Sequence, residues 1–168
     1  MRPSEKMYGF FRRPFRYFII KDCNMTAAEL QDFLHRNIPA SASLKLAVTE
    51  SSPQRVALLA PLAANCNHHH TVFGGSIALL ATLCAWSLVH LNYPEYNGKI
   101  VIQDGQTRYL KPAKGDLTAV SEAHNPQDWE DCGQMLAERG KGKINVACTL
   151  WSEGILVAEF TGRYVVLL

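Results

Sequence analysis

The sequence predicts an α+β domain in which a curved antiparallel sheet of about six strands wraps one long helix. Three observations carry this. Residues 76–91 are apolar on all sides, with only Ser76, Thr82, Ser87 and His90 polar, and a helix with no polar face has to be enclosed. Alternating stretches come in consecutive pairs joined by short turns, which favours antiparallel pairing. Two further helical stretches are amphipathic or surface-patterned, so they lie on the outside.

In chain order, Thr26 and Glu29 form a capping box. A helix follows, with Leu30, Phe33, Leu34 and Ile38 on one face and Pro39 as its stop. Ser43 to Glu50 alternates, Ser51-Ser52-Pro53 turns, and Arg55 to Ala60 returns. After the apolar helix, Asn97-Gly98 breaks the pattern and Lys99 to Leu110 reads as a long strand. The turn Lys111 to Gly115 pairs it back with Asp116 to Ala123. Asn125-Pro126 opens a surface helix that Gly140 ends, and it covers a sheet edge or forms part of a lid. Lys143 to Trp151 and Ile155 to Leu167 close the chain as a hairpin around Ser152-Glu153-Gly154.

Charge is uneven along the chain. Residues 1–24 hold six basic against two acidic side chains, and the rest eleven against thirteen. The body therefore gives no reason to expect nucleic-acid binding. The longest apolar run near the start is Tyr17 to Ile20, too short for a secretory signal. Residues 1–24 read as a flexible basic and aromatic extension, and residues 25–168 as the domain. Five scattered cysteines, at 23, 66, 84, 132 and 148, show no C-x-x-C pair. They read as reduced thiols of a cytoplasmic protein, with Cys84 and Cys148 packed as small hydrophobes.

The chemistry is expected where polar loop meets apolar helix, at Gly74-Gly75. Backbone N–H groups in a first helical turn are unpaired and carry the positive end of the dipole, so they suit an anion or a developing oxyanion. Two residues without side chains leave that end open. Asp104 and Gln106 are set on the interior face with Ile100 and Ile102, and Asp104 is a candidate base there, against a plain ion pair with Arg108. The His68-His69-His70 run is a poor zinc site, because adjacent loop side chains seldom converge on one ion. No metal is expected, and His69 is a second candidate base. His90 and His124 are expected to be solvated at element ends.

This order of elements, with Phe73-Gly74-Gly75-Ser76 opening the helix and Arg108 to Pro112 ending a strand, resembles the hotdog-fold thioesterases from about Thr26 to Leu168. Asn67, Phe73, Gly74 and Gly75 match the N-x-x-G-x-x-[HF]-G-G loop of the acyl-CoA and phenylacetate-pathway types. Thr71, Ser76 and Trp86 are similar to the thioesterase domain found at the C-terminus of some bacterial acetyltransferase fusions. The resemblance implies a homodimer or dimer of dimers with sites at the interface. The substrate would be an acyl thioester of coenzyme A or acyl carrier protein, with no other cofactor. Gly75 N–H would serve as oxyanion donor, Asn67 would position water or carbonyl, and Thr71, Phe73, Gly74, Ser76 and Thr82 would line the substrate. Where the better-known types place a carboxylate on the helix, this chain has Thr82. That departure leaves a non-catalytic thioester-binding module as the alternative.

Overall fold

The computed structural model describes residues 25–168; the N-terminal extension lies outside the described residues. Its architecture is α+β, a six-stranded antiparallel sheet curved around one long helix.

Helix α1, Ala27–Asn37, begins at the expected capping box: Glu29 N donates to Thr26 Oγ1 (3.3 Å) and Thr26 N to Glu29 Oε2 (2.8 Å). Leu30 and Leu34 are its buried face. Pro39 does not end helical structure but restarts it. It opens the short α2, Pro39–Ser43, at a first-turn position where its missing N–H is harmless. The predicted start of the next strand at Ser43 is therefore too early. Strand β1 is Ala47–Ser51, paired with β2, Arg55–Ala60. A one-turn α3, Leu62–Asn65, leads into the loop before α4, Gly74–Asn92.

Helix α4 is the axis of the core. It is long and apolar enough to cross a bilayer by composition alone, yet most of it is buried inside the sheet. Strand β3, Ile100–Tyr109, then β4, Leu117–Glu122, α5, Pro126–Arg139, β5, Lys141–Ser152, and β6, Ile155–Leu167, complete the chain. Helix α5 ends at Gly140, whose φ of 70° is the left-handed cap expected there. It packs on β5 through buried Cys132 and Leu136. Along β5 the even-numbered residues are buried and most odd-numbered ones exposed, a strand with one face on the core.

The sheet order is β1-β2-β4-β5-β6-β3. The β3–β4 hairpin expected from the short turn does not form. Leu110 and Lys111 still donate to Val157 O on β6 (2.8 and 3.2 Å), so β3 stays beside β6 at one edge. The chain then crosses over. Val72 N donates to Ala113 O (2.9 Å), Leu62 N to Asp116 Oδ1 (2.9 Å), and β4 enters between β2 and β5. The strand read as interior is an edge strand, exposed along most of its length.

A second correction follows from a bulge in β3 at Gln103, between the pairs Ile102–Tyr164 and Asp104–Arg163. An extra residue inverts the alternation beyond it. Ile100 and Ile102 share the inner face with Gly105, Thr107 and Tyr109, whose partners Gly162, Phe160 and Ala158 are buried. A Cβ on Gly105 would lie 3.1 Å from Ile102 Cδ1, which places the two on one side. Asp104, Gln106 and Arg108 therefore face away from α4. Among the described residues Asp104 forms no ion pair, with Arg108 or otherwise.

His90 is the third departure. It is 2% exposed and stacked with Phe33 (centroids 4.7 Å) and Trp86 (5.1 Å), and among the described residues neither ring nitrogen has a hydrogen-bond partner. The expected solvated histidine is a core residue. Burial lowers its pKa from the ordinary 6.5. Below that value the unfolded chain takes up a proton that the native state refuses. Stability is then lost as pH falls, by up to ~1.4 kcal/mol per unit until the folded pKa is reached; above pH ~6.5 His90 contributes no slope. Urea unfolding of wild type and His90→Phe at pH ~7.5 and ~5.5, on either side of the unperturbed value, should show a smaller acid loss in the variant. Equal losses would refute the assignment.

Candidate functional site

The loop before α4 is built by two asparagines. Buried Asn65 donates from Nδ2 to Leu44 O and Pro61 O (both 2.9 Å), and its backbone carbonyl accepts from Phe73 N (2.8 Å). Asn67 Oδ1 accepts from His69 N (2.9 Å) and Thr71 N (3.3 Å), and Nδ2 donates to Thr71 Oγ1 (3.0 Å). The backbones of 67 and 71 are bonded at 2.8 Å, and His70 takes a left-handed φ of 57°. Asn67 and Thr71 thus close the loop on itself. The His69 imidazole is exposed and lies 3.9 Å from that of His68. Asn65 was not singled out by sequence reasoning; a second asparagine two residues before Asn67 was its only signal.

This loop delivers Phe73 as the N-cap of α4, where it supplies no side-chain cap. The first backbone bond into the helix runs from Ile77 N to Phe73 O (3.1 Å). The N–H groups of Gly74, Gly75 and Ser76 therefore have no partner within the helix, and no acidic side chain occupies its first turn. Two exposed aromatic rings flank the opening. Phe73 lies so close over Gly75 that a Cβ there would be 2.4 Å from its Cε1. From the end of β3, Tyr109 Oη donates to Gly74 O (3.0 Å), with its ring 3.5 Å from where a Gly74 Cβ would be. Tyr109 borders the candidate site, and the sequence marks it only as part of a strand-end motif. Its reach to Gly74 depends on the crossing of β3 over the helix head.

The remaining candidates are dispersed. Thr82 lies two turns into α4, its hydroxyl donating to Ala78 O (2.9 Å) and its carbonyl accepting from Tyr164 Oη (2.9 Å). Asp104 and Gln106 are on the far face of β3, as described. Among the described residues no hydrogen bond or ion pair joins a carboxylate to the head of α4, and none lies in its first turn. Burial pushes the Cys84 thiol well up and Tyr164 with it, so both stay protonated and serve as packing groups. Among the described residues Cys66, Cys84, Cys132 and Cys148 are all free thiols, and no three His, Cys, Asp or Glu side chains converge as metal ligands.

Comparison with known proteins agrees with this fold. A family model described as "Putative thioesterase (yiiD_Cterm)" matches residues 27–168. A thioesterase structure from Shewanella oneidensis, named as putative, is similar at 31% identity and TM-score 0.73, covering 84% of this chain and 97% of that one. A protein of unknown function from Chlorobaculum tepidum superposes at TM-score 0.78 with 24% identity, over 86% and 98% of the two chains. Phenylacetic acid degradation protein PaaI from Thermus thermophilus shares the fold at TM-score 0.59 and 22% identity, over 77% and 99%. An enclosed apolar helix wrapped by a six-stranded sheet accords with the family match, and this chain belongs to the YiiD_C family of hotdog-fold thioesterases.

Proposed function

We propose that this protein hydrolyses acyl thioesters of coenzyme A or acyl carrier protein, with Gly75 N–H holding the oxyanion of the tetrahedral intermediate. The uncovered N–H at the head of α4, in a member of a thioesterase family, carries the reading. A fixed donor aimed at developing charge, with the helix dipole behind it, needs no reorganisation during the reaction. Asn67 and Thr71 hold the loop that sets this geometry; Phe73, Gly74, Ser76 and Thr82 border the substrate. Proton transfer falls to an exposed loop imidazole, His69 first, because Asp104 and Gln106 face away from α4 within one chain.

A homodimer is the expected assembly. Strand β3 is a ten-residue edge with Val101 and Ile102 open to solvent (52% and 41%). An unpaired apolar edge is a template for a second copy. The copy would bring Asp104 and Gln106 of each β3 to the joint. Thiol release from acyl-coenzyme A, followed with a thiol-reactive dye over short to long chains, tests the activity. No release at any length would sink it.

Thr82 supports a second reading, a module that binds acyl thioesters without cleaving them. Its hydroxyl is already bonded to Ala78 O and has no basic partner to activate it. Stoichiometric binding without turnover would favour this reading.

A further inference from the structure

Helix α4 is open along a single stripe. From Ile77 to Leu91 only Ala78, Leu79, Thr82 and Trp86 keep some exposure, and with Gly75 they recur every three or four residues, one face of the helix. Strand β3 runs beside this stripe and is pinned across it at both ends. Tyr109 Oη bonds Gly74 O at the head, and Trp86 Nε1 bonds Ile100 O (3.1 Å) three turns further on. Between the pins, the inner face of β3 offers Ile102, Gly105 and Thr107. The bulge at Gln103 has turned every charged side chain of the strand outward. Among the described residues this leaves an uncharged, part-exposed strip between α4 and β3, the trough of the proposal below, from the proposed oxyanion donor to an indole.

That indole is held rigidly. Trp86 stacks on His90 (5.1 Å, 16° between planes), and Phe33 stacks on both (4.7 and 6.1 Å). Gly98, at φ +75°, sits against the Phe33 and Trp86 rings: a Cβ there would be 3.4 Å from Phe33 Cζ and 3.5 Å from Trp86 Cη2. Adjoining the wall is a cleft of about 330 Å³, lined by Phe33, Ile38, Trp86 and Ile100 with Gly98 and the polar Asn37 and Asn97.

We propose that the trough holds the acyl chain of the thioester and that Trp86 is its end wall, making this a site for medium-chain acyl groups. The proposal rests on the thioester reading of Gly75. Eleven positions separate Gly75 from Trp86, or about 16 Å at ~1.5 Å per residue. A terminal methyl stops ~3.5 Å short of the ring. The remaining ~13 Å takes about ten carbons, since C–C bonds of ~1.5 Å zigzag to ~1.3 Å of length per methylene.

The test uses non-hydrolysable S-alkyl thioethers of coenzyme A, butyl to octadecyl, titrated calorimetrically, alongside hydrolysis of the matching acyl-coenzyme A series. Affinity should rise up to about fourfold per methylene to near decyl, then fall at least tenfold by hexadecyl. In Trp86→Ala the cleft joins the trough and the optimum should lengthen by two or more carbons. In Thr82→Phe, placed closer to Gly75, it should shorten to about hexyl. Circular dichroism confirms that each variant is folded, and Thr82→Phe carries the test if Trp86→Ala is not. Length-independent binding, or the same optimum in every folded protein, overturns the end wall. Thiol release with an unmoved optimum sinks the wall and keeps the hydrolase. Length-selective binding without thiol release does the reverse, and no binding at any length sinks both.

Discussion

Gly75→Ala is expected to lower kcat/KM for thioester hydrolysis by about 10²–10³-fold, the size of an oxyanion donor's contribution, without lowering stability. The added Cβ falls 2.4 Å from Phe73 Cε1, so the ring has to move. It can move freely, because Phe73 is 58% exposed, and nothing in the core is disturbed. Alanine is otherwise the better helix residue, by up to ~1 kcal/mol. The displaced ring and the new methyl both crowd the approach to the N–H. Gly74→Ala is the internal control, since its Cβ meets Tyr109 at 3.5 Å, an ordinary contact. Thermal unfolding together with initial rates on acyl-coenzyme A decides the matter. An alanine at 75 that turns over like wild type would show that substrate reaches the N–H past a methyl group and a displaced ring, and would overturn the crowding argument.

Gly142→Ala should be the reverse, a large loss of stability with the site untouched. Gly142 is where β5 passes under α5, and a Cβ there would be 2.4 Å from Cys132 O and 2.8 Å from Cys132 Sγ. The obstacle is the backbone of a packed helix, which cannot rotate aside. Helix and strand must separate, and overpacking of this kind costs about 1–3 kcal/mol. Urea midpoints measure it. Gly154→Ala offers the comparison: no atom lies within 4 Å, but φ is +74°, so only the left-handed backbone penalises it, by about 1–2 kcal/mol. A Gly142→Ala midpoint no lower than that of Gly154→Ala would show that α5 yields more easily than its packing implies.

What could be read from the sequence was whatever local chemistry decides. Thr26 and Glu29 cap a helix wherever they stand, Gly140 ends one, and an all-apolar segment after Gly-Gly must be interior. Strand partnership was not of that kind. The turn from Lys111 to Gly115 has the composition of a hairpin, and only the bonds from Leu110 and Lys111 to Val157 reveal that it is a crossover. The bulge at Gln103 was hidden as well, because neither glycine nor proline marks it, and it moves Asp104 and Gln106 to the other side of the sheet. His90 was misjudged because position near a helix end suggested solvent, whereas the Phe33 and Trp86 rings enclose it. The open Gly-Gly head of the helix lies within one short segment and was legible; the approach of Tyr109, from a strand thirty-five residues later, was not.

The enclosure of α4 also has a meaning for synthesis. The chain leaves the ribosome N-terminus first, so residues 74–92 emerge before any of β3, β4, β5 or β6 exists to cover them. For that interval the segment is indistinguishable by composition from a membrane anchor. Its burial waits for β6, which ends at Leu167 and is sandwiched between β5 and β3. Truncation within β6 therefore leaves a greasy helix with one wall missing, a substrate for holdases and proteases. Production of soluble protein should fall once truncation enters β6.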